Sequence, residues 1–373
     1  MKKPTFHYIS NSIIPSRSAN SVHVMKMCEA FSKTGYKVTL LAPNRYSEAE
    51  ETTKNLYDFY GVNKCFNIKK YLWLAIKGKT FIYATGCAYT VWLNSPSIAY
   101  GRFLLGCYFS ALLGQKVTFE LHAAYKKDSF DEKFFLRLLK HKNFNKLVVI
   151  NQALKRYILN VYPISADRVF VAHDGANIIT CTTKKILPNV NKMNIGYIGQ
   201  LHAGKGVEQI IEISKRCPLF DFHIVGGSKE NIMSLQNKHG KLENLHYHGF
   251  VSHSETSQYL CAFDILIAPY QNHVSTYGGD INIAQWMSPL KIFEYMSAGK
   301  PIISSNLPAI KEILQHGETA LLCDPDNIDE WVENIENLKN TQLQKKLGDN
   351  AKKRFESTYT WKQRSQSIIS AIT

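Results

Sequence analysis

Residues 288–303 read Ser-Pro-Leu-Lys-Ile-Phe-Glu-Tyr-Met-Ser-Ala-Gly-Lys-Pro-Ile-Ile and predict a short helix followed by a buried strand. Ser288 is a good N-cap, and Pro289 suits the first helical position, where a backbone N–H has no intrahelical partner. Gly299 can adopt the left-handed conformation that ends a helix, and Pro301 prevents the helix from continuing. These residues therefore predict that a helix begins near Ser288 and that a strand follows Pro301.

Lys291 is the residue that disagrees with this local pattern. In the first turn of a helix the macrodipole disfavours a cation, by a few tenths to ~1 kcal/mol. A bound anion would explain the lysine, because the ammonium and the backbone N–H groups could share it. The alternative is a solvated lysine with a small cost, and both interpretations stay open here. Glu294 follows between Phe293 and Tyr295, a setting too apolar for an unused carboxylate.

The composition predicts a globular protein of two domains. The chain has 373 residues, of which 45% are hydrophobic and 20% are charged, and this length exceeds one ordinary core. The N-terminus lacks an apolar signal region. The most apolar run, Ile98 to Leu113, is interrupted by Arg102 and is short for a membrane span, so we interpret it as a buried helix.

The cysteines are scattered, without a CxxC pair or a cluster with histidines. This pattern predicts reduced thiols in a cytosol and neither a disulfide framework nor a zinc site. The eight cysteines are Cys28, Cys65, Cys87, Cys107, Cys181, Cys217, Cys261 and Cys323.

The excess positive charge lies in the first half of the chain. Residues 1–178 contain 25 Lys and Arg against 11 Asp and Glu, whereas the remaining residues contain 20 against 19. Such asymmetry indicates a polyanionic partner, which could be an anionic membrane surface, a phosphate-bearing substrate or nucleic acid.

The first half alternates predicted strands and helices. A strand at Phe6–Ser10, a helix from about Val22 to Lys33 and a strand at Lys37–Pro43 form a βαβ unit, which implies a parallel sheet. Further strands are predicted at residues 80–84, 116–122, 146–151 and 168–172. Ligands of such sheets collect at the carboxyl ends of the strands.

Two polar segments are expected at this ligand-binding edge. The loop after the first strand carries Arg17, Ser18 and Asn20 but no glycine, so it is not a dinucleotide-binding fingerprint. Glu120 and His122 lie on one face at the end of a later strand, because side chains alternate along a strand. An isolated histidine is more often structural, but the position of His122 also favours a ligand contact.

Two segments mix basic and aromatic residues. Asp131–Phe144 predicts an amphipathic helix with Lys133, Arg137 and Lys140 away from its apolar side, and the run from Lys69 to Leu74 has a similar composition. Each is either an ordinary surface segment or a contact with a membrane surface.

The second half begins after a non-periodic segment, residues 179–192, which predicts a linker. A strand at 194–199 leads into the turn Gln200-Leu201-His202-Ala203-Gly204-Lys205-Gly206 and then a helix from Val207. Glycines and a lysine before a helix can hold a phosphate, although such turns are common. Strands at 220–226, 245–251, 264–269, 301–304 and 319–323 complete a second sheet, and residues 270–285 form a long polar insertion.

Taken in order, these features resemble the retaining glycosyltransferases of family GT4, which have the GT-B fold. The resemblance covers nearly the whole chain and includes the loop with Arg17, His122 at a strand end, and the stretch ending at Glu294. It also includes the segments 173–177, 199–206, 225–227, 249–251 and 268–270. The implied architecture is α/β, with two Rossmann-like domains facing across a cleft. The boundaries are 1–178 for the acceptor domain, 193–359 for the nucleotide-sugar domain, and 360–373 for a final helix packing on the first domain.

The resemblance also implies roles for individual residues. His122, Lys205 and Glu294 would be catalytic: His122 approaches the transferred sugar, Lys205 neutralises the donor diphosphate and Glu294 binds the ribose hydroxyls. The implied donor-binding set is Gly199, Gln200, Lys205, Gly227, Asp280, Pro289, Leu290, Lys291 and Glu294. The implied acceptor-binding set is Arg17, Ser18, Asn20 and Glu120.

Two positions depart from the family pattern. The family often has an arginine about five residues before the phosphate-binding lysine, but this chain has Gln200, and Lys291 could supply the missing charge. The first glutamate of the family's paired-glutamate motif corresponds to Trp286, so Asp280 or a backbone amide could contact the sugar instead.

The expected function is transfer of a sugar, with retention, from a UDP- or GDP-sugar to a lipid-linked or surface-polysaccharide acceptor. The resemblance implies no required metal or other cofactor. The charge of the first half adds an anionic membrane surface as a partner, and hence a cytoplasmic enzyme held peripherally at the inner face of the plasma membrane. No RNA-binding motif is present, so nucleic acid is not expected as a partner. The alternatives are a nucleotide-sugar epimerase of the same fold and a non-catalytic nucleotide or RNA binder.

Overall fold

The computed structural model describes residues 3–46, 53–181, 186–187, 192–251, 253–274, 282 and 284–373. The chain divides into two compact units, one of Met1–His173 with Trp361–Thr373 and the other of Asp174–Thr360. Asp280, predicted to bind the donor, and most of the predicted linker lie outside the described residues.

The first unit is a parallel sheet with helical connections. Its strands follow the order β3-β2-β1-β4-β5-β6-β7, and every pair is parallel. In chain order its elements are β1 (Thr5–Ile9), α1 (Ala19–Lys33), β2 (Lys37–Pro43), α2 (Leu56–Phe59), β3 (Asn67–Tyr71), α3 (Lys79–Asn94), β4 (Ile98–Gly101), α4 (Leu104–Leu112), β5 (Val117–Leu121), α5 (Phe130–Lys140), β6 (Phe144–Val149), α6 (Gln152–Val161), a short 3₁₀ turn (Ala166–Arg168) and β7 (Val169–Val171).

The second unit repeats this plan with six parallel strands in the order β10-β9-β8-β11-β12-β13. Its elements are β8 (Met193–Ile198), α7 (Val207–Arg216), β9 (Phe220–Val225), α8 (Lys229–His239), β10 (Leu245–Gly249), α9 (His253–Ala262), β11 (Ile265–Ala268), α10 (Leu290–Ala298), β12 (Ile302–Ser305), α11 (Pro308–Lys311), β13 (Leu321–Cys323), α12 (Ile328–Asn337) and α13 (Thr341–Thr358). The final helix, α14 (Trp361–Ile372), belongs to the first unit.

Local sequence signals account for the helix boundaries. Ser18, Ser129 and Asn151 begin α1, α5 and α6, and each accepts a hydrogen bond from a backbone N–H of the first turn. At the other end of α10, Gly299 has φ of +68° and ends the helix as predicted. The predicted cap at Ser288 is wrong: Pro289 occupies the N-cap position, and Ser288 Oγ instead accepts a hydrogen bond from the backbone N–H of Asp174.

The sheet of the second unit is buried on both faces. Leu266 and Ala268 pack into one hydrophobic core, whereas Ile265 and Ile267 pack into the other. Successive side chains of a strand point to opposite faces, so a strand covered on both sides is apolar without interruption. Packing on both faces holds the strands in place. The loops that follow the strands lie at the carboxyl edge of the sheet.

Both sheets reverse their strand order at one point, between β1 and β4 and between β8 and β11. Ligands of doubly wound sheets bind outside the carboxyl ends of the strands at such points. In the second unit these ends lead into Gly199 and into Pro269. The loops that follow β8 and β11 are therefore the expected ligand-binding segments of the second unit.

Several predicted elements of the first unit are wrong. Residues 80–84 belong to α3 and not to a strand, and the run from Ile98 to Leu113 contains β4 followed by α4, not one helix. Periodicity does not separate a short buried helix from a buried strand. The strand β3 was missed because it lies at the edge of the sheet and is only partly buried, so its sequence is not apolar.

The prediction that all cysteines are reduced is also wrong. Cys181 and Cys261 form a disulfide; their Cα atoms are 5.3 Å apart, and the two residues are 80 positions apart in sequence. The other six cysteines are thiols. The pair was not predictable, because the fold brings together two cysteines whose spacing matches no motif.

None of the described helices is long and apolar enough to span a membrane.

Candidate active site

In the second unit, Lys291 lies at the start of α10 and beside the end of β8. Its Nζ atom is shielded from solvent and has no hydrogen-bond partner among the described residues. The atom lies 3.6 Å from the centroid of the Tyr197 ring and 5.2 Å from that of Tyr270. A Cβ atom on Gly199 would come within 2.7 Å of this Nζ atom. The glycine therefore makes room for the lysine at the switch point of the sheet.

The pKa of Lys291 is held well below its usual value, chiefly by burial and then by the charge of Lys205, while Glu294 opposes the shift. Burial without a hydrogen bond is costly for a polar group. The first turn of α10 adds unsatisfied donors, because Pro289 provides no side-chain cap for the backbone N–H groups. This end of α10 therefore has strong anion-binding potential that no described side chain satisfies.

Lys205 contributes the second cation of this site. Its Nζ atom lies 5.3 Å from the centroid of the Tyr270 ring, and burial lowers its pKa. The turn that carries it depends on close backbone approach. Gly206 has φ of +78°, and a Cβ atom there would lie 1.8 Å from the carbonyl oxygen of Pro269. Only glycine fits at this point, so the turn is fixed against the end of β11.

The remaining predicted donor residues lie around the same edge. Glu294 is half-buried on α10, three residues after Lys291 and hence on the same helical face. The backbone carbonyl of Gln200 accepts a hydrogen bond from the hydroxyl of Tyr197, at 2.6 Å. A Cβ atom on Gly227, whose φ is +80°, would clash with Leu201. Two lysines and a helix N-terminus at one sheet edge are a chemical setting for phosphate oxygens.

The first unit holds a second cluster of polar groups, centred on Glu120 at the end of β5. Its Oε1 atom lies 2.5 Å from His122 Nε2, 2.6 Å from Arg364 Nη2 and 3.1 Å from His23 Nε2. Its Oε2 atom accepts a hydrogen bond from the Tyr100 hydroxyl. The carboxylate is fully buried. Glu120 thus joins α1, β4, β5 and α14 through one side chain.

The Glu120 carboxyl is ionised in this setting. Burial alone would raise its pKa, but Arg364 and His23, together with the hydrogen bonds from the two imidazoles, hold the pKa well below its usual range. The predicted contact between Glu120 and an acceptor is therefore not supported, because both carboxylate oxygens are enclosed by protein groups. His122 keeps 22% of its side chain exposed and is the accessible member of the cluster.

The spacing of this cluster also resembles a metal site. Ligand atoms of His23, Glu120 and His122 lie within 4.8 Å of one another. However, the Arg364 guanidinium contacts the same carboxylate oxygen as both imidazoles, at 2.6 Å. A metal ion bound to this oxygen would either lie next to the positive charge of Arg364 or displace the guanidinium. The residues present therefore fit an ion-pair network better than a metal site.

One residue of the predicted acceptor loop has a structural role. Ser18 is the N-cap of α1 and exchanges a hydrogen bond with the Ser21 hydroxyl at 2.8 Å. Arg17 and Asn20 are exposed near it. His23 and Arg364, which contact Glu120, and Tyr197, which lies beside Lys291, were not predicted from sequence. No local motif marks them, and they are recognised only when the fold brings distant segments together.

Two family models match this chain. Residues 21–178 match the model described as Glycosyltransferase Family 4, and residues 192–341 match the model described as Glycosyl transferases group 1. Together they cover most of both units. The chain belongs to the family 4 glycosyltransferases.

Individual proteins agree with this family. An uncharacterized glycosyltransferase of Methanocaldococcus jannaschii, MJ1069, is 25% identical over 94% of this chain and 93% of its own length. The structure of Anabaena HepE in complex with UDP-glucose aligns with a TM-score of 0.71 at 15% identity, and the match covers 98% of each chain. The lipopolysaccharide outer core galactosyltransferase WaaB aligns with a TM-score of 0.68 at 16% identity over 99% of each chain. Both structures show that this glycosyltransferase has the GT-B fold.

Proposed function

We propose that this glycosyltransferase binds the diphosphate of a UDP- or GDP-sugar at Lys205, Lys291 and the first turn of α10. The observation that carries the proposal is the Lys291 Nζ atom, which is shielded from solvent without a hydrogen-bond partner among the described residues. A diphosphate would supply both charge and acceptors to this group. In HepE the bound molecule is UDP-glucose, according to the structure's description, and this supports a nucleotide-sugar as the donor.

The same site supports a mechanism for transfer. Breaking the anomeric bond leaves negative charge on the departing diphosphate, and fixed cations that stabilise this charge lower the barrier. Lys205 and Lys291 would perform this role, so the proposed reaction requires no divalent metal at the diphosphate. Glu294 would accept hydrogen bonds from the ribose hydroxyls, and His122 would contact the transferred sugar. We propose retention of the anomeric configuration, with the leaving phosphate oxygen assisting deprotonation of the acceptor.

For the acceptor we propose a lipid-linked or surface-polysaccharide glycan at the inner face of the plasma membrane. The related structure WaaB is described as a lipopolysaccharide outer core galactosyltransferase. The distribution of charge in this chain supports such a location. Between residues 59 and 127 there are nine Lys and Arg and one carboxylate, that of Glu120, which is fully buried. This part of the first unit thus exposes cations and no acidic side chain.

The helix α3 supplies the apolar part of the proposed membrane surface. Its inner side packs Ala84, Cys87 and Val91 into the core. Its outer side is also apolar, with large side chains 40–58% exposed: Phe81, Ile82, Tyr89, Trp92 and Leu93. Large exposed apolar patches mark interaction sites. Aromatic side chains bordered by lysines suit the interface of an anionic bilayer, which attracts each basic residue by about 1 kcal/mol.

A thermal-shift panel of nucleotide-sugars tests the donor site. A ligand at about a hundred times its Kd stabilises a protein by about 2.7 kcal/mol, which is a measurable rise in Tm. We expect one or more UDP- or GDP-sugars to raise the Tm of the wild type, and this rise to be lost in Lys205→Ala and Glu294→Ala. Lys311→Ala and Glu333→Ala, exposed positions on α11 and α12, are matched controls. Stabilisation that survives both site substitutions would refute the assignment.

A further inference from the structure

The Glu120 cluster contains a residue from the far end of the chain. Arg364 is 244 positions after Glu120, on α14, and its side chain is almost completely buried. Nη2 donates to Glu120 Oε1, while Nη1 donates to the backbone carbonyls of Ala172, at 2.6 Å, and His173, at 3.3 Å. The guanidinium therefore connects α14 both to the segment after β7 and to the carboxylate at the end of β5.

The ionised carboxylate determines which nitrogen of His122 carries a proton. An ionised glutamate can only accept hydrogen bonds. His122 Nε2 lies 2.5 Å from Oε1, so this nitrogen must be the donor. In the neutral ring the proton is then on Nε2, and Nδ1 is the nitrogen without one. The tautomer follows from the charge of Glu120, and that charge depends on Arg364.

We propose that Arg364 is a positioning residue, which keeps Glu120 as a fixed anionic acceptor and thereby holds His122 in one orientation and in the Nε2–H tautomer. The C-terminal helix α14 is in this way part of the chemistry of His122, and not only a structural cover for the first unit. Trp361, on the same helix, packs edge-on against His23 with ring centroids 5.5 Å apart, and His23 packs edge-on against His122 at 4.9 Å. Two residues of α14 thus border the cluster.

The shape of the guanidinium is part of this inference. A lysine at position 364 could keep the charge, but one ammonium lacks the planar fork that reaches the Ala172 carbonyl and the Glu120 carboxylate from two different nitrogens. We therefore expect Arg364→Lys to loosen the position of Glu120 while it preserves the ion pair. Arg364→Met removes the charge altogether and leaves the carboxylate buried without its cation, which favours protonation of Glu120.

The tautomer of His122 can be measured without any substrate, by ¹⁵N NMR of the imidazole nitrogens in full-length protein labelled at histidine. His122→Gln identifies the signal, and a series extending to about pH 9 ensures that the neutral ring is observed. We expect the wild type to show the Nε2–H form alone. Arg364→Met should give a mixture of tautomers, and Glu120→Gln should do the same, whereas Arg364→Lys preserves the ion pair and should keep the Nε2–H form. Arg168→Lys is the control, because Arg168 lies in the same unit and donates hydrogen bonds to the backbone carbonyls of Phe144 and Asn145.

The outcomes separate the inference from its alternatives. A wild-type His122 protonated on Nδ1, or an Arg364→Met protein that retains the pure Nε2–H form, would overturn it. If Arg364→Met does not fold, Arg364→Gln, which also removes the charge, takes its place. The consequence for catalysis rests on the proposed function, since it assumes that His122 contacts the donor sugar. In that case Arg364→Lys lowers kcat for the identified donor and leaves its KM within about twofold, whereas failure of the donor assignment leaves the NMR result unchanged.

Discussion

The Nζ atom of Lys291 lies 3.6 Å from the centroid of the Tyr197 ring, above an aromatic face and away from water. A cation over a ring gains about 0.5–2 kcal/mol. The ring does not replace the hydrogen bonds that water provides to an ammonium, and burial therefore disfavours the charged form. The lysine is thus held in a position that is unfavourable for the ligand-free protein and favourable for a diphosphate complex.

Lys291→Met should separate stability from binding. Methionine keeps the length and the apolar contacts with Tyr197 but removes the amine, so we expect the protein to become more stable by about 1 kcal/mol. Loss of a charge-assisted hydrogen bond should weaken binding of UDP or GDP by about tenfold to a hundredfold. Calorimetric titration and thermal unfolding measure the two effects.

Lys311→Met, an exposed substitution on α11, is the matched control and should change neither quantity. Unaltered nucleotide affinity in Lys291→Met would remove Lys291 from the donor site. Reduced stability in this variant would indicate that the amine has a partner that stabilises the folded chain.

The stability of the protein should depend on pH through Lys291. Its pKa in the folded state lies well below the unfolded value of about 10.4, because of burial and then the charge of Lys205. Between these two values the unfolded chain binds a proton that the folded chain does not, so the free energy of unfolding rises with pH. The slope is at most about 1.4 kcal/mol per pH unit.

This dependence is measured as the difference in Tm between Lys291→Met and the wild type across a series from about pH 7 to pH 10. The advantage of the variant should shrink as the pH rises, because the proton that Lys291 must release on folding is held less tightly by the unfolded chain as the pH approaches the unfolded pKa. Lys205 is present in both proteins, so the part of its pH dependence that burial causes cancels in the difference. Two parallel curves would contradict the lowered pKa of Lys291.

The second unit was easier to predict from sequence than the first. Its strands β11, β12 and β13 are fully buried, so each appears as a short, largely apolar run bounded by glycine, proline or polar residues, as at Ile302–Ser305 after Pro301. In the first unit the edge strand β3 carries Lys69 and Lys70, and its apolar signal is weak. The outward side of α3 is apolar as well as its inner side, so the helical period is hidden and the segment resembles a strand.

The part of the candidate site around Lys291 was predictable, because a single short stretch contains a residue that disagrees with its local pattern. Lys291 violates the preference of a helix N-terminus, and that violation is visible in the sequence alone. The Glu120 cluster is different, because its members come from α1, β4, β5 and α14 and form no sequence pattern. Arg364 could not be assigned to Glu120 without the fold, since the two residues are 244 positions apart in sequence. Whether two residues so far apart in sequence form an ion pair depends on the topology of the fold and not on their spacing.

Gly206→Ala should disrupt the phosphate-binding turn. The position combines a left-handed φ of +78° with a carbonyl oxygen 1.8 Å from the position of a Cβ atom. The conformation alone costs a non-glycine residue about 1–2 kcal/mol, and the clash with Pro269 adds to it because the obstacle is backbone. We expect a loss of more than 2 kcal/mol in stability and loss of nucleotide binding, measured by thermal unfolding with and without UDP.

Gly78→Ala is the control for this substitution. Gly78 is, like Gly206, a left-handed residue at the N-cap of a helix, with φ of +80°, but a Cβ atom there would meet nothing within 4 Å. It should therefore show the conformational cost alone and should bind nucleotide normally. Equal destabilisation by the two alanines would mean that the turn moves away from Pro269 at little cost, and that its fixed geometry is not needed.

Binding to vesicles should depend on the outer side of α3. We compare the wild type with Tyr89→Ser/Trp92→Ser, which removes two exposed rings stacked 5.9 Å apart, on vesicles with and without anionic lipid. Wild-type binding should require anionic lipid and weaken as salt rises, because a Debye length of about 10 Å at 0.1 M screens exposed lysines. The double variant should bind at least about tenfold more weakly, since it removes apolar area from the interface.

The control for this experiment is Leu219→Ser/Met233→Ser, which removes two apolar side chains of similar exposure from the second unit. General loss of surface hydrophobicity would affect both double variants equally, whereas a membrane surface on α3 affects only the first. Lys126→Ala/Lys127→Ala removes two cations from the same unit and leaves the rings intact, so it should reduce the salt-dependent part of binding alone. Wild-type protein that binds neutral and anionic vesicles equally would contradict the charge argument, because the acid-free surface between residues 59 and 127 would then have no role in the attraction.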